Sequence, residues 1–174
     1  AATTGTVNIN GIIDSSTGAT TVTAGTDVNI NQAVLNGQTG KALTVTTSNG
    51  AVINWSQFNI AADEVTRFVQ PSVSSQVLNR VLAGNPSQIL GSLQSNGQVF
   101  LINPSGVSFG KGAQVDVGAL VISTLKLSNE DFAAGKLNFG SATPGDNTLA
   151  GAIRNEGTVR TARGGFVYLV APQV

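Results

Sequence analysis

The 174-residue chain contains no cysteine, histidine or methionine. Without thiolate or imidazole groups we expect no zinc or haem site, and no catalytic site built on a cysteine nucleophile or a histidine base. The absence of cysteine also excludes a disulfide scaffold. We therefore expect this chain to hold neither a cofactor nor a metal ion.

Charge is also scarce. Charged residues make up 10% of the chain, and nine Lys and Arg balance nine Asp and Glu. A basic stripe, which nucleic-acid binding requires, is not seen. The longest apolar stretches, such as Gly118–Ile122, are strand-sized, whereas a membrane helix needs roughly 18 apolar residues. We expect no membrane span. Because the chain starts at Ala1 and lacks Met, we also expect it to be a piece of a longer product.

Short runs rich in Val, Ile and Thr alternate with Gly, Asn and Ser along the whole chain. Each run has strand length and turn residues at its edges, and the spacing leaves no room for crossover helices. The pattern predicts an all-β protein. The predicted strands are Thr6–Ile9, Asp27–Ile30, Ala42–Thr46, Ala51–Trp55, Gln98–Ile102, Gly106–Phe109, Gln114–Val117, Leu120–Thr124, Gly157–Arg160 and Gly165–Val170.

An internal repeat favours stacked coils. Asn8 and Asn29 are 21 positions apart, as are Asn10 and Asn31. A period of about 20 residues is typical of one coil of a solenoid, in which neighbouring coils share a continuous core. Asn at equivalent corners is expected to satisfy backbone groups from coil to coil. We predict a parallel β-helix, with a β-sandwich as the alternative.

Three stretches depart from this rhythm. Residues 72–82 have apolar positions near helical spacing, which predicts a helical turn or a strand outside the main stack. Residues 129–136 are a polar excursion that Ser128 or Asn129 is expected to cap and Gly135 to end. Residues 140–148 are typical of an exposed loop.

The residues also bear on two other function classes, an enzyme and a carbohydrate-binding surface. Parallel β-helices host polysaccharide-active enzymes, but those need clustered carboxylates. Here Asp63-Glu64 and Glu130-Asp131 are the adjacent acids, and neighbours on a strand face opposite sides, so we predict no enzyme. Trp55, Phe58 and Phe68 are expected to pack in the core; a carbohydrate-stacking platform is the alternative.

Several segments form a recognisable set when they are taken in order. They are Ala51–Ile60, Phe68–Pro71, Leu78–Val81, Gly84–Gly91, Asn96–Val107, Phe109–Ala113 and Gly164–Pro172. One Asn-Pro dipeptide would be weak evidence, but the ordered set extends over three quarters of the chain. The set resembles the secretion domain of two-partner-secreted exoproteins of the filamentous-haemagglutinin type.

This resemblance implies a right-handed parallel β-helix with short extra-helical strands or turns. It also implies a secretion signal that an outer-membrane pore partner recognises in the periplasm of a Gram-negative bacterium, so that the attached exoprotein becomes secreted or surface-bound. We expect a single domain, 1–174, acting as a monomer. Residues 42–174 are family-like. Residues 1–41 are atypical because the family's Pro- and Gly-rich capping segment is not recognisable there. For this reason an adhesive β-helix module remains the alternative function.

The resemblance also indicates site residues. Asn103-Pro104-Ser105-Gly106 matches the family's Asn-Pro-Asn-Gly turn with Ser in place of the second Asn, and Asn85-Pro86 falls at an earlier Asn-Pro position. Pro at the second turn position presets φ, and Asn at the first can bond its own backbone. Arg80, after Asn79, is suited to bridging backbone carbonyls or a carboxylate. Each motif is expected either to hold a corner of the fold or to contact the transporter.

Overall fold

A computed structural model describes residues 6–9, 20–24, 27–30, 42–82, 84–140 and 151–174. These residues form sixteen short strands and one short helix, α1, at Asn129–Ala133. The strands in chain order are β1 Thr6–Ile9, β2 Thr20–Ala24, β3 Asp27–Ile30, β4 Ala42–Thr47, β5 Ala51–Trp55, β6 Val65–Val69, β7 Gln76–Val81, β8 Ser87–Ile89, β9 Ser92–Ser95, β10 Gln98–Ile102, β11 Val107–Phe109, β12 Gln114–Val117, β13 Ala119–Ser123, β14 Ile153–Asn155, β15 Thr158–Thr161 and β16 Val167–Val170.

The strands form three parallel sheets. Sheet A has seven strands in the order β1-β3-β5-β7-β10-β13-β16, sheet B has six in the order β15-β12-β9-β6-β4-β2, and sheet C has three in the order β14-β11-β8. Within the described segments every strand pair is parallel; the single antiparallel contact is an isolated bridge between Lys126 and Gly140. The sheets make a β-solenoid. The predicted parallel β-helix is confirmed, and the β-sandwich alternative is wrong.

The chain visits the sheets in a fixed order. From β7 onward it runs through sheet A, sheet C and sheet B, and then returns to sheet A one rung further along. The helix α1 and its flanking loops interrupt this path between β13 and β14. In the register of β1 and β3, Asn8 pairs with Asn29, so the repeat of 21 residues is one rung of sheet A. Asn10 and Asn31 lie outside the described residues.

Alternation along the strands builds the core inside the coils. On β4, Leu43, Val45 and Thr47 are buried while the residues between them are partly exposed. The same two-residue period brings one face of each sheet inward. Trp55, Phe58 and Phe68 lie in this core, with ring centroids 5.1 Å apart for the first pair and 6.5 Å for the second. Their predicted packing role is confirmed.

Sheet A also buries part of its outer face. A second apolar cluster covers that face and includes Val52, Leu78, Phe100, Ile102 and Val121, together with Leu127 and Phe132 from the α1 excursion. The central strands of sheet A are therefore apolar on both sides, as strands buried on both faces must be.

The stretch 72–82 was interpreted wrongly from the sequence. It contains β7, which lies in the main stack between β5 and β10. Val77 and Val81 face the inner core while Leu78 faces the outer cluster. Because apolar residues point to both sides, the alternation that identifies a strand is lost, and the spacing resembles that of a helix.

Asparagine side chains connect neighbouring coils. Asn49 Oδ1 accepts from the backbone N–H of Gln76 at 2.9 Å, and Asn59 Oδ1 accepts from that of Gln88 at 2.9 Å. Asn96 accepts from the N–H of Gln70 at 2.8 Å and donates to its carbonyl at 2.7 Å. The partners are 26 to 29 residues apart. These asparagines satisfy backbone groups of the neighbouring coil, whereas the side chains of the repeated Asn8, Asn10, Asn29 and Asn31 lie outside the described part of the chain.

The excursion after β13 is a capped helical turn. Ser128 accepts from the N–H of Asp131 at 3.0 Å, and Gly135 ends the turn with φ +66°. Of the two predicted capping residues, Ser128 is the cap, and the turn ends at Gly135 as predicted. Residues 141–148 of the predicted loop lie outside the described part of the chain. In the part described, no helix combines the length and the apolar character needed to span a bilayer.

Candidate functional site

The Asn103-Pro104-Ser105-Gly106 motif is a closed corner that follows β10. The N–H of Gly106 donates to the carbonyl of Asn103 at 3.0 Å, which makes a four-residue turn. Asn103 Oδ1 accepts from the N–H of Ser105 at 3.0 Å, the local bond expected of Asn at the first turn position. Gly106 has φ +116°, which an L side chain would rarely adopt.

The same asparagine reaches back to the preceding corner. Asn103 Nδ2 donates to the carbonyl of Asn85 at 3.0 Å and to Ser87 Oγ at 2.9 Å. Asn103 is fully buried and Ser87 is 1% exposed, whereas Asn85 and Pro86 are exposed. We call this pair of corners, residues 85–87 and 103–106, the asparagine staple. It brings the two predicted Asn-Pro motifs together through one buried amide.

Asn79 lies on β7 and points into the inner core. Trp55 Nε1 donates to Asn79 Oδ1 at 2.9 Å, and Asn79 Nδ2 donates to the carbonyl of Phe100 at 3.2 Å. Both side chains are buried. Each polar atom named here is paired, as a polar group inside an apolar core requires.

Arg80, the next residue, points to the opposite face. Its Nη2 donates to the carbonyl of Leu127 at 2.8 Å and to Asn129 Oδ1 at 2.9 Å. These bonds hold the start of the α1 excursion against sheet A. Burial lowers the pKa of the Arg80 guanidinium, and the nearby carboxylate of Glu130 acts in the opposite direction. Arg80 thus bridges a backbone carbonyl and an amide, with a carboxylate close by.

The register places both motifs at the same edge of sheet A. Arg80 pairs with Ile102, which directly precedes Asn103, so the motifs lie at the carboxyl ends of β7 and β10. Their side chains do not meet, because Asn103 bonds to the preceding corner at Asn85, whereas Arg80 bonds to the α1 excursion at Leu127 on the outer face of sheet A. The predicted site residues therefore form two separate clusters at one edge.

Two participants were not singled out from the sequence: Ser87 in the staple and Asn129 as an Arg80 partner. Ser87 follows an Asn-Pro pair, which marks a corner but does not identify its distant partner. Asn129 was noted only as a capping residue. Both contacts join positions far apart in sequence, and local turn chemistry carries no signal for them.

The acidic residues do not converge on a catalytic arrangement within the described segments. No group of three or more acidic side chains there is suited to a metal ion. Glu64 is buried, and its Oε2 accepts from the N–H of Ala61 at 2.8 Å, so this carboxylate closes a local turn. Glu130 and Asp131 lie in the first turn of α1, within the capped excursion predicted for residues 129–136.

Comparison with known proteins gives the family. The family model of the TPS secretion domain, in which TPS denotes two-partner secretion, matches residues 19–174. The match begins before Ala42 and takes in most of the region set apart above as atypical. The crystal structure of the HMW1 secretion domain from Haemophilus influenzae superposes with a TM-score of 0.68 at 39% sequence identity, covering 72% of this chain and 33% of that chain.

Two further proteins are similar to this chain over shorter stretches. A heme/hemopexin-binding protein of Haemophilus influenzae is 41% identical over 80 residues, which is 46% of this chain and 9% of that protein. Its counterpart from strain Rd is 43% identical over 75 residues, which is 43% of this chain and 8% of that protein. The chain thus spans less than a tenth of these relatives. It belongs to the family of TPS secretion domains, the secretion-signal domains of two-partner-secreted exoproteins.

Proposed function

We propose that this domain is recognised in the periplasm of a Gram-negative bacterium by the outer-membrane pore partner of its two-partner system. The pore then exports the longer exoprotein to the medium or the cell surface. The observation that carries the proposal is the family match over residues 19–174. The domain acts as a recognition and folding unit and not as an enzyme. Recognition and folding need no clustered carboxylates, whereas acid–base catalysis does.

Within this function, we assign different roles to the two corners of the asparagine staple. Asn103 is fully buried and bonds both corners, so its role is to hold the folded geometry. Asn85 and Pro86 are exposed, and among the described residues the Asn85 side chain makes no hydrogen bond. Their side chains are therefore free to contact the transporter.

We further propose that residues 1–174 act as one domain and one copy. Sheets A and B run without interruption from β1 and β2 to β16 and β15. Between the two ends of sheet A, each strand pairs with a strand of the same chain on either side, so these coils complete one another within one copy. Light scattering of the purified chain measures this directly, and a concentration-dependent dimer would contradict it.

A secretion assay tests the export role. The chain is co-expressed with its cognate outer-membrane partner, and the medium and periplasm are compared by immunoblot. We expect the wild-type chain in the medium only when the partner is present. If the wild-type chain stays in the periplasm despite a functional partner, the proposed recognition is wrong.

Paired variants separate recognition from folding. Asn85→Ala with Pro86→Ala alters the exposed corner but keeps the backbone carbonyl that Asn103 bonds. We expect lower secretion with unchanged thermal stability. Asn138→Ala, at an exposed residue with one exposed hydrogen bond, is the matched control and should leave secretion unchanged. Normal secretion of the double variant would exclude the exposed corner as the contact surface.

A further inference from the structure

A cavity of about 230 Å³ lies at the outer face of sheet A, beside the α1 excursion. Its apolar walls come from three phenylalanine rings and one leucine, and the lining residues that the structure describes are all uncharged. Two of the rings meet edge to face at 5.2 Å, and the third stacks on Tyr168 at 4.7 Å. The apolar lining residues are Phe100, Phe132, Leu137 and Phe166.

Two glutamines form the polar side of this cavity. Gln76 and Gln98 begin β7 and β10 and are register partners. Gln76 Nε2 donates to Gln98 Oε1 at 3.1 Å. Among the described residues, this leaves Gln76 Oε1 as an acceptor and Gln98 Nε2 as a donor without hydrogen-bond partners. The free acceptor and the free donor therefore lie at opposite ends of this amide–amide bond, beside an apolar space.

The glutamines are anchored through their backbones. Gln76 donates its N–H to Asn49 Oδ1 at 2.9 Å, and its carbonyl accepts from the N–H of Gly50 at 2.9 Å. The N–H of Gln98 donates to the carbonyl of Ser75 at 2.8 Å. Neighbouring coils therefore fix both backbones. A site whose polar groups are already positioned loses little entropy when a ligand binds.

We propose that this cavity binds an uncharged peptide segment. An aromatic or branched aliphatic side chain enters the space between the rings. One adjoining peptide group donates its N–H to Gln76 Oε1, and the carbonyl of the next peptide group along the segment accepts from Gln98 Nε2. Pockets for drug-sized ligands range from about 300 to 1,000 Å³, so a volume of about 230 Å³ suits one side chain with its peptide group. The proposal goes beyond export and does not depend on it.

Titration of the ¹⁵N-labelled chain with N-acetyl-phenylalaninamide tests the site. We expect the side-chain amide signals of Gln76 and Gln98 to shift at millimolar probe concentrations. Gln98→Leu removes the donor and should weaken binding about tenfold. Toluene, which has the ring without the peptide group, should bind more weakly than the amide by a similar factor.

Because the chain has no cysteine, a single introduced thiol can block the cavity. Leu137→Cys, modified with a bulky maleimide, places the adduct at a lining residue that is 39% exposed. Leu82→Cys, at a residue that is 63% exposed and just beyond the other end of β7, is the matched control. We expect the first adduct to reduce binding at least tenfold and the second to leave it unchanged.

Three results would overturn the proposal. They are the absence of shifts at the two glutamine amides, equal binding of toluene and the amide probe, and equal binding by the two modified variants. Since the blocked variant keeps both glutamines, its result decides the question even if Gln98→Leu does not fold. A change in secretion is not a readout here, so failure of the export proposal leaves the test valid.

Discussion

Replacing Asn103 with Ala should be among the most costly single changes at either corner of the staple. The variant loses the bonds to Ser105 N–H, the Asn85 carbonyl and Ser87 Oγ, at 3.0, 3.0 and 2.9 Å. Each bond contributes about 1 kcal/mol net, and a buried group left unpaired costs more. Because Ser87 is 1% exposed, water cannot readily replace its lost partner. We expect a loss of about 3 kcal/mol in the free energy of unfolding.

The assay is thermal unfolding followed by circular dichroism, with Asn138→Ala as the surface control. For a chain of this length, about 3 kcal/mol corresponds to a decrease in Tm of about 6–12 °C. The amide of Ser105 should also lose hydrogen-exchange protection. A decrease in Tm no larger than that of the control would refute the reasoning, because the buried amide would then hold neither corner.

Changes at four further positions test other parts of the fold. Arg80→Ala removes both bonds to the α1 excursion, so it should lower the free energy of unfolding by about 2 kcal/mol and speed hydrogen exchange in α1. Arg80→Lys should give an intermediate effect. Unchanged exchange in α1 would contradict this. Trp55→Phe leaves the buried Oδ1 of Asn79 without its donor and should cost about 1–3 kcal/mol, measured by chemical denaturation. Gly118→Ala brings a Cβ to 2.7 Å from a carbonyl of the neighbouring coil and should cost about 1–3 kcal/mol. At Gly84 an added Cβ meets nothing within 4 Å, so Ala there should change stability by less than about 0.5 kcal/mol.

The regular part of the fold was predictable because stacking repeats local signals. Short β-branched runs between turn residues located six of the seven strands of sheet A, β4, β12 and β15 of sheet B, and β11 of sheet C. They did not locate β6, β8, β9 or β14. β8 and β14 have three residues each, which is too short for a two-residue period to be distinguished from a loop.

The site was predictable only where its chemistry is local. The bond from Ser105 N–H to Asn103 Oδ1 lies within one four-residue turn, so the turn residues alone predict it. The bond from Asn103 to Ser87 spans 16 residues, and those from Arg80 to Leu127 and Asn129 span 47 and 49. Such pairs depend on which strands become neighbours, and that information lies in the register and not in the motif.

The reach of Arg80 has a consequence for the order of folding events, because the chain is synthesised from its amino end. The bonds between coils described above join residues up to 29 positions apart, so each new turn can be fastened as soon as its predecessor is in place. Arg80 must wait until residues 127 and 129 have arrived. Its guanidinium therefore stays hydrated during that interval. Closure of the apolar layer over sheet A is then a late step, and its delay depends on the number of residues between Arg80 and its partners at 127 and 129.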